Sequence, residues 1–124
     1  MLPLGIETRQ STDVLAIDDP LVAAAVKCIR ERACEGLTVE DVLRHAPLSR
    51  SMLEKRFRRY LRQTPQQAIR AVQIKRVKQL LAETDLKLDS IARLAGFKHV
   101  EYMSVVFKRE TKQSPGRFRR EVRT

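Results

Sequence analysis

A cationic helix face between Leu48 and Arg62 carries the clearest chemistry in this sequence. At helical spacing, Leu53, Phe57, Tyr60 and Leu61 fall on one face. The opposite face holds polar and charged side chains: Arg50, Ser51, Glu54, Lys55 and Arg58. Such groups can bond to base edges and to phosphates. A solvated amphipathic helix has the same pattern, so this stretch alone leaves both interpretations open.

If this face contacts DNA, each side chain has a chemically suitable partner. Arg50 or Lys55 suits guanine O6 and N7, and Glu54 can accept from a cytosine amino group. An ion pair with Arg50 or Arg58 in the same helix is the alternative for Glu54. The residues predicted to contact base edges are Arg50, Ser51, Glu54 and Lys55. Those predicted to contact phosphates are Arg58, Arg59 and Arg62.

The sequence contains this unit twice. Val42 matches Ile91 and Ala46 matches Ala95 at an offset of 49. Later pairs share an offset of 50: Leu53 with Met103, Phe57-Arg58 with Phe107-Lys108, and Thr64-Pro65 with Ser114-Pro115. Each copy predicts a short helix, a tight turn and a second helix with a cationic outer face. This is the arrangement of a helix-turn-helix, whose second helix lies in the major groove. Two basic copies favour this interpretation over a purely structural repeat.

The outer face of the second copy is less polar than that of the first. Its predicted base-reading residues are Lys98, His99, Val100, Glu101, Ser104 and Val105. Val105 could contact a thymine methyl group or pack against the linker helix, and both interpretations stay open. We expect this helix to contribute less polar readout and to prefer thymine-containing steps. The remaining phosphate candidates are Lys75, Arg76, Lys108, Arg109, Lys112 and Arg117.

The elements that position these faces are all predicted to be helices. We expect an all-α fold of about seven helices, with helix-turn-helix units at about 36–64 and 85–114. Thr64-Pro65 opens a linker helix at about 65–84 that joins the two units. Its length of roughly 30 Å is close to one turn of B-DNA, about 34 Å. Two recognition helices so spaced could lie in successive major grooves on one side of a duplex.

Domain boundaries follow from the same periodicity. Residues 1–18 have mixed polarity and no sustained period, and are interpreted as a linker or tail from an upstream sensor domain. Residues 19–124 form the predicted DNA-binding domain, whose first helix is capped by Asp18 or Asp19 before Pro20.

The charge distribution favours an anionic polymer as partner. The formal net charge is +10, but the first 41 positions hold 4 basic and 8 acidic residues, against 21 basic and 7 acidic afterwards. A basic body of this kind predicts double-stranded nucleic acid before a membrane. No apolar run is long enough to span a bilayer.

Other classes of function find little support in the sequence. There is no paired catalytic constellation or phosphate-binding loop, so neither an enzyme nor a cofactor is expected. Cys28 and Cys34 lie six apart in one helix and predict free thiols in a reducing cytoplasm rather than a metal site. The alternative is a sequence-tolerant RNA or nucleoid protein, which would use exposed aromatic platforms. The phenylalanines fall on predicted core faces instead.

Several motifs resemble the AraC/XylS family of bacterial transcription regulators. They are Gly96-Phe97, Tyr102-Met103, Phe107-Lys108 and Ser114-Pro115, and the resemblance extends from Pro20 to Val122. Within that family, the segments 49–57 and 102–108 are similar to the regulators of xylose operons. The resemblance implies a sugar effector bound by an upstream domain and RNA polymerase as a partner. Activation is the mode that it implies, although the residues themselves leave repression open.

Three positions depart from the expected pattern, and one of them is Val77, where the linker helix of the family usually has a smaller residue. Pro47 stands in the first turn where the family usually has glycine, and Pro cannot adopt a left-handed conformation. The first turn is therefore expected to differ in shape from the second. Lys87 stands where Thr38 would cap the first copy, so the second unit is expected to start without a cap or with Asp85 as its cap.

Overall fold

The computed structural model describes residues 18–123, and this part of the chain is all-helical, as predicted. Its seven α-helices are α1 (Pro20–Arg32), α2 (Val39–His45), α3 (Arg50–Leu61), α4 (Pro65–Glu83), α5 (Leu88–Leu94), α6 (Val100–Thr111) and α7 (Pro115–Val122). A 3-10 turn, Ala33–Glu35, follows α1. Within the described range, no helix combines the length and the apolar character needed to cross a membrane. The predicted tail, residues 1–18, lies almost wholly outside the described residues.

Side-chain caps fix where most of these helices begin. Asp19 accepts from the amides of Leu21 and Val22 at 3.0 and 3.3 Å and starts α1. Thr38 and Asp41 form a reciprocal capping box at the start of α2, and Thr64 forms another with Gln67 at the start of α4. Thr38 and Thr64 were predicted as caps from the sequence, whereas the choice of Asp19 over Asp18 and the part of Gln67 come from the structure. The start of α5, at Lys87, has no side-chain cap.

The two helix-turn-helix turns differ in backbone conformation, as Pro47 predicts. In the first turn Ala46 is extended, with φ −125° and ψ 115°, and the Leu48 amide donates back to the Ala46 carbonyl at 2.7 Å. In the second turn Gly96 has φ +93°, the left-handed region that glycine adopts without steric cost. Each turn therefore enters its recognition helix by a different route.

Each helix-turn-helix unit has its own hydrophobic core. Phe57 and Phe107, equivalent in the repeat, are both 0% exposed. The first core also contains Val22, Ile29, Val42 and Leu53, and the second contains Val77, Leu81, Ile91 and Met103. Helix α4 serves both cores: Ala68 and Ile69 belong to the first, and Ile74, Val77, Leu80 and Leu81 belong to the second. The linker helix is therefore a wall shared by both units.

The carboxyl end of α4 is capped by an arginine from the last helix. Arg119 donates to the carbonyl oxygens of Leu81, Thr84 and Leu86 at 3.1, 2.8 and 2.9 Å. The last carbonyls of a helix have no partner inside it, and a cation near them also interacts favourably with the helix dipole. Arg119 thereby fastens α7 to the end of the linker helix.

Replacing Arg119 with methionine is expected to lower the free energy of unfolding by about 1–3 kcal/mol, because charge-assisted bonds to partly buried carbonyls are lost. Urea denaturation measures the change. The matched control is Arg117→Met in the same helix, because Arg117 is exposed and pairs with Glu121 at 3.1 Å. An equal loss in both variants would show that the contacts of Arg119 with α4 are energetically unimportant.

Candidate nucleic-acid interface

Helix α3 presents four of the predicted residues together. Ser49 caps it by accepting from the Met52 amide at 3.2 Å, and burial of Leu53 and Phe57 fixes which face turns outward. A shallow depression on that outward face is lined by Ser51, Glu54, Lys55 and Arg58. Hydroxyl, carboxylate, ammonium and guanidinium groups in one depression can donate to and accept from base edges. Their base contacts remain predictions.

Arg50 lies at the first turn of α3 between two carboxylates. Its Nη1 is 2.5 Å from Glu40 and its Nε is 3.6 Å from Glu54. The pKa of Glu40 is lowered, first by a hydrogen bond from the backbone amide of Glu40 and then by the Arg50 guanidinium. The pair with Glu54 is the alternative that the spacing predicted for that carboxylate. To reach guanine, Arg50 must exchange these exposed partners for the base.

Arg56 ties the recognition helix to the start of the domain, which sequence reasoning missed. Its Nη1 lies 2.7 Å from Asp19 Oδ2, and the two side chains are 31% and 12% exposed. Burial raises the pKa of Asp19, but the Val22 and Leu21 amides and the Arg56 guanidinium outweigh it, so the pKa is lowered below 3.8. The partners are 37 residues apart, so no local pattern could have paired them.

Asp19→Asn is expected to lower stability at pH 7 and to lower it less at pH 3. Asparagine can still cap α1, so the variant tests what the negative charge of Asp19 adds to its contacts with the Val22 and Leu21 amides and with Arg56. Because the folded-state pKa of Asp19 is depressed, its stabilisation is complete above the unfolded value and is lost as pH falls through the folded one. Urea midpoints at both pH values measure this, with Asp18→Asn as the charge-matched control. A loss of the same size at both pH values would rule out the ion pair as its source.

The second recognition helix, α6, is mostly exposed where base contacts were predicted. Lys98, His99 and Glu101 are exposed, and Ser104 is half-buried. Val105 is 61% exposed, so it is not buried against the linker helix. The expectation that Val100 faces outward was wrong, because this first residue of α6 is half-buried against the second core. Its role in reading a base has no support from its position.

The phosphate candidates form an exposed basic surface. All of them are exposed except Arg76, which is half-buried and donates to Gln79 at 2.9 Å. Arg62 and Lys112 follow α3 and α6 at equivalent positions, with φ +58° and +67°. Both units thus place a cation in the left-handed conformation just after the recognition helix. Arg109 and Arg117 make exposed ion pairs with Glu110 and Glu121, which contribute little to stability.

Comparison with known proteins identifies the class. The model of a family described as "Helix-turn-helix domain" matches residues 42–121. The chain belongs to this family, the AraC-type helix-turn-helix DNA-binding domain of transcription regulators, which are not enzymes.

Similar curated proteins include regulators of sugar operons. The chain is 39% identical over 117 residues to the xylose operon regulatory protein of Haemophilus influenzae, covering 94% of this chain and 30% of that protein. The xylose operon regulatory protein of Escherichia coli K12 is 34% identical over 117 residues, again covering 94% of this chain and 30% of that protein. The chain therefore spans less than a third of the length of these relatives.

Solved structures share the fold. The xylose-binding transcription activator XylR is 34% identical with a TM-score of 0.69, over 83% of this chain and 27% of that one. The DNA-binding domain of the global transcriptional factor AdpA, solved in complex with a target DNA, is 28% identical with a TM-score of 0.78. That match covers 86% of this chain and 95% of that chain.

Proposed function

We propose that this domain reads double-stranded DNA with α3 and α6 in successive major grooves of one duplex. The carrying observation is that two equivalent cores, around Phe57 and Phe107, pack on a single helix α4. At 1.5 Å per residue its 19 residues extend about 28 Å, somewhat less than the roughly 34 Å of one DNA turn. The shortfall is met by bending the DNA toward the protein, at an elastic cost of about 1–6 kcal/mol.

The two units divide the reading unequally. In the first, Arg50, Ser51, Glu54 and Lys55 supply polar contacts to bases. In the second, the exposed methyl groups of Val105 favour thymine. The exposed arginines and lysines around both helices hold the phosphates on either side and set the register of the domain on the duplex.

The regulated operon is proposed to be one for sugar catabolism, with xylose the first candidate. The support is likeness to xylose operon regulatory proteins and to a xylose-binding activator. On this proposal the effector binds a domain upstream of residue 19, and the regulator acts in the cytoplasm as an activator that contacts RNA polymerase.

Selection of bound duplexes from a random library tests the reading of DNA. We expect a site of two short boxes about one helical turn apart, and this site is called the selected duplex below. In a gel shift, excess random DNA should compete poorly against it. Equal competition by random DNA or by RNA would instead favour the sequence-tolerant nucleic-acid protein.

A further inference from the structure

A buried amide sits in the middle of the linker helix, between the two cores. Within residues 18–123 Gln73 is the only buried polar residue, with 1% of its surface exposed. Its Nε2 donates to the Ala33 carbonyl, in the 3-10 turn of the first unit, at 2.9 Å. Its Oε1 accepts from Arg70 Nη1 at 2.6 Å. An apolar side chain could fill the same volume, but only a polar one can make these two hydrogen bonds, one to the 3-10 turn and one within α4.

Arg70 continues this connection into the second unit. Its guanidinium carbon lies 5.4 Å from the Phe97 ring centroid and 5.1 Å from that of Tyr102. Phe97 belongs to the second turn and Tyr102 to the recognition helix α6, and their rings meet edge to face at 6.1 Å. When the side-chain amide of Gln66 is oriented with its oxygen toward Arg70, that oxygen accepts two more hydrogen bonds from the same guanidinium. Arg70 is therefore held firmly against the aromatic pair.

The two units also touch directly beside Gln73. A Cβ on Gly96 would lie 2.7 Å from the Ala33 oxygen and 2.9 Å from Gln73 Nε2. Next to this contact the units separate around an open cavity of about 240 Å³, lined in part by Leu37, Thr38 and Lys98. The same cavity is lined by Arg70, Gln73 and Gly96, so these residues lie where the two units meet.

We infer that Gln73 and Arg70 are positioning residues that fix the angle between the two recognition helices and so set the spacing between the two DNA boxes. The inference rests on the proposed function. Two hydrogen bonds link the Ala33 carbonyl to Gln73 and Gln73 to Arg70, and a cation–π contact then links Arg70 to Tyr102 on α6. Without them each unit remains attached to α4 by its own core, and the backbone contact of Gly96 with Ala33 remains, but the side-chain link from the first unit to α6 is lost.

The test compares spacing tolerance rather than stability. Duplexes carry the selected boxes at the selected spacing or with one or two base pairs inserted, each of which rotates the second box by about 34°. Wild type is expected to lose roughly 30-fold or more on the altered duplexes, in line with losing contacts to one box. Gln73→Leu, which keeps the volume but not the bonds, should lose only about fivefold or less relative to its own affinity at the selected spacing.

The chain offers a matched control for this variant. Gln79 accepts from Arg76 across the same three-residue spacing, but it is exposed and bridges nothing between the units. Gln79→Leu should keep the wild-type spacing penalty. Arg70→Lys keeps the charge but not the planar guanidinium, and it provides a second test if Gln73→Leu fails to fold. It should partly reduce the loss of affinity on duplexes with altered spacing.

The outcomes separate the inference from the proposed function. If wild type selects two boxes but neither Gln73→Leu nor Arg70→Lys changes the spacing penalty, only the inference is overturned. A single selected box would overturn the proposed function and, with it, any role in spacing.

Discussion

Replacing Arg50 and Lys55 together with alanine is expected to lower affinity for the selected duplex by about 30-fold or more, because each contact to a base edge contributes roughly 1–3 kcal/mol. Affinity for random duplex should fall much less, since only the general attraction to phosphates is reduced. Arg50 must leave Glu40 and Glu54 before it reaches a base, so its contribution to the binding free energy should lie near the lower end of that range. Fluorescence anisotropy at one fixed salt concentration measures both affinities.

A charge-matched control makes this result specific. Lys27 and Arg30 are exposed on α1 and are not among the residues predicted to contact DNA. Their double alanine variant removes the same two charges and should weaken selected and random duplex alike. If the Arg50 and Lys55 variant also lost affinity equally for both duplexes, these residues would be phosphate contacts and the assignment of base reading would fail.

Phe107→Ala is expected to lower the free energy of unfolding by about 3–5 kcal/mol, the cost of emptying a fully buried aromatic site. Phe107 is 0% exposed, and its ring meets that of Phe118 edge to face at a centroid distance of 5.4 Å. The variant therefore loses core volume and a contact that holds α7. Urea denaturation followed by circular dichroism gives the size of the loss. Val105→Ala on the exposed face of the same helix should change stability by less than about 0.5 kcal/mol.

Phe107→Ala should also affect the two units differently in DNA binding. Because the cores are distinct, loss of the second core should weaken footprint protection of the second box more than that of the first. Phe57→Ala should have the reverse effect. A Phe107→Ala variant as stable as Val105→Ala, or one that loses both boxes together, would contradict two separate cores on a shared helix.

Local features of the fold were predictable from the sequence because they depend on neighbours along the chain. Thr38 and Thr64 cap the helices that their positions predicted, and helical spacing identified Phe57 and Phe107 as core residues. The altered first turn followed from the restricted backbone of Pro47 alone. Each of these predictions needed only a few consecutive residues.

Contacts between distant elements were not predictable in this way. Arg56 meets Asp19, Arg119 meets Leu81 and Gln73 meets Ala33 across 37 to 40 residues. Arginine and glutamine have long side chains that suit surface, groove and core alike, so residue type does not decide among these roles. The prediction that Val100 faces outward was wrong for a different reason. At the first residue of a helix, a shift of one position turns a side chain by about 100°, from solvent toward the core.

The candidate site was predicted in composition, and the structure supplies its arrangement. Ser51, Glu54, Lys55 and Arg58 do line one depression, but the carboxylates that hold Arg50 come partly from α2. Which bases these groups contact stays a prediction until a duplex is bound.

Hydroxyl-radical footprinting of the selected duplex tests the central proposal most directly, because it reports which faces of the DNA one protein molecule covers. With α3 and α6 in neighbouring grooves, two protected patches should lie about 10 base pairs apart on the same face of the duplex. One patch alone, or two patches on opposite faces, would contradict simultaneous reading by both helices.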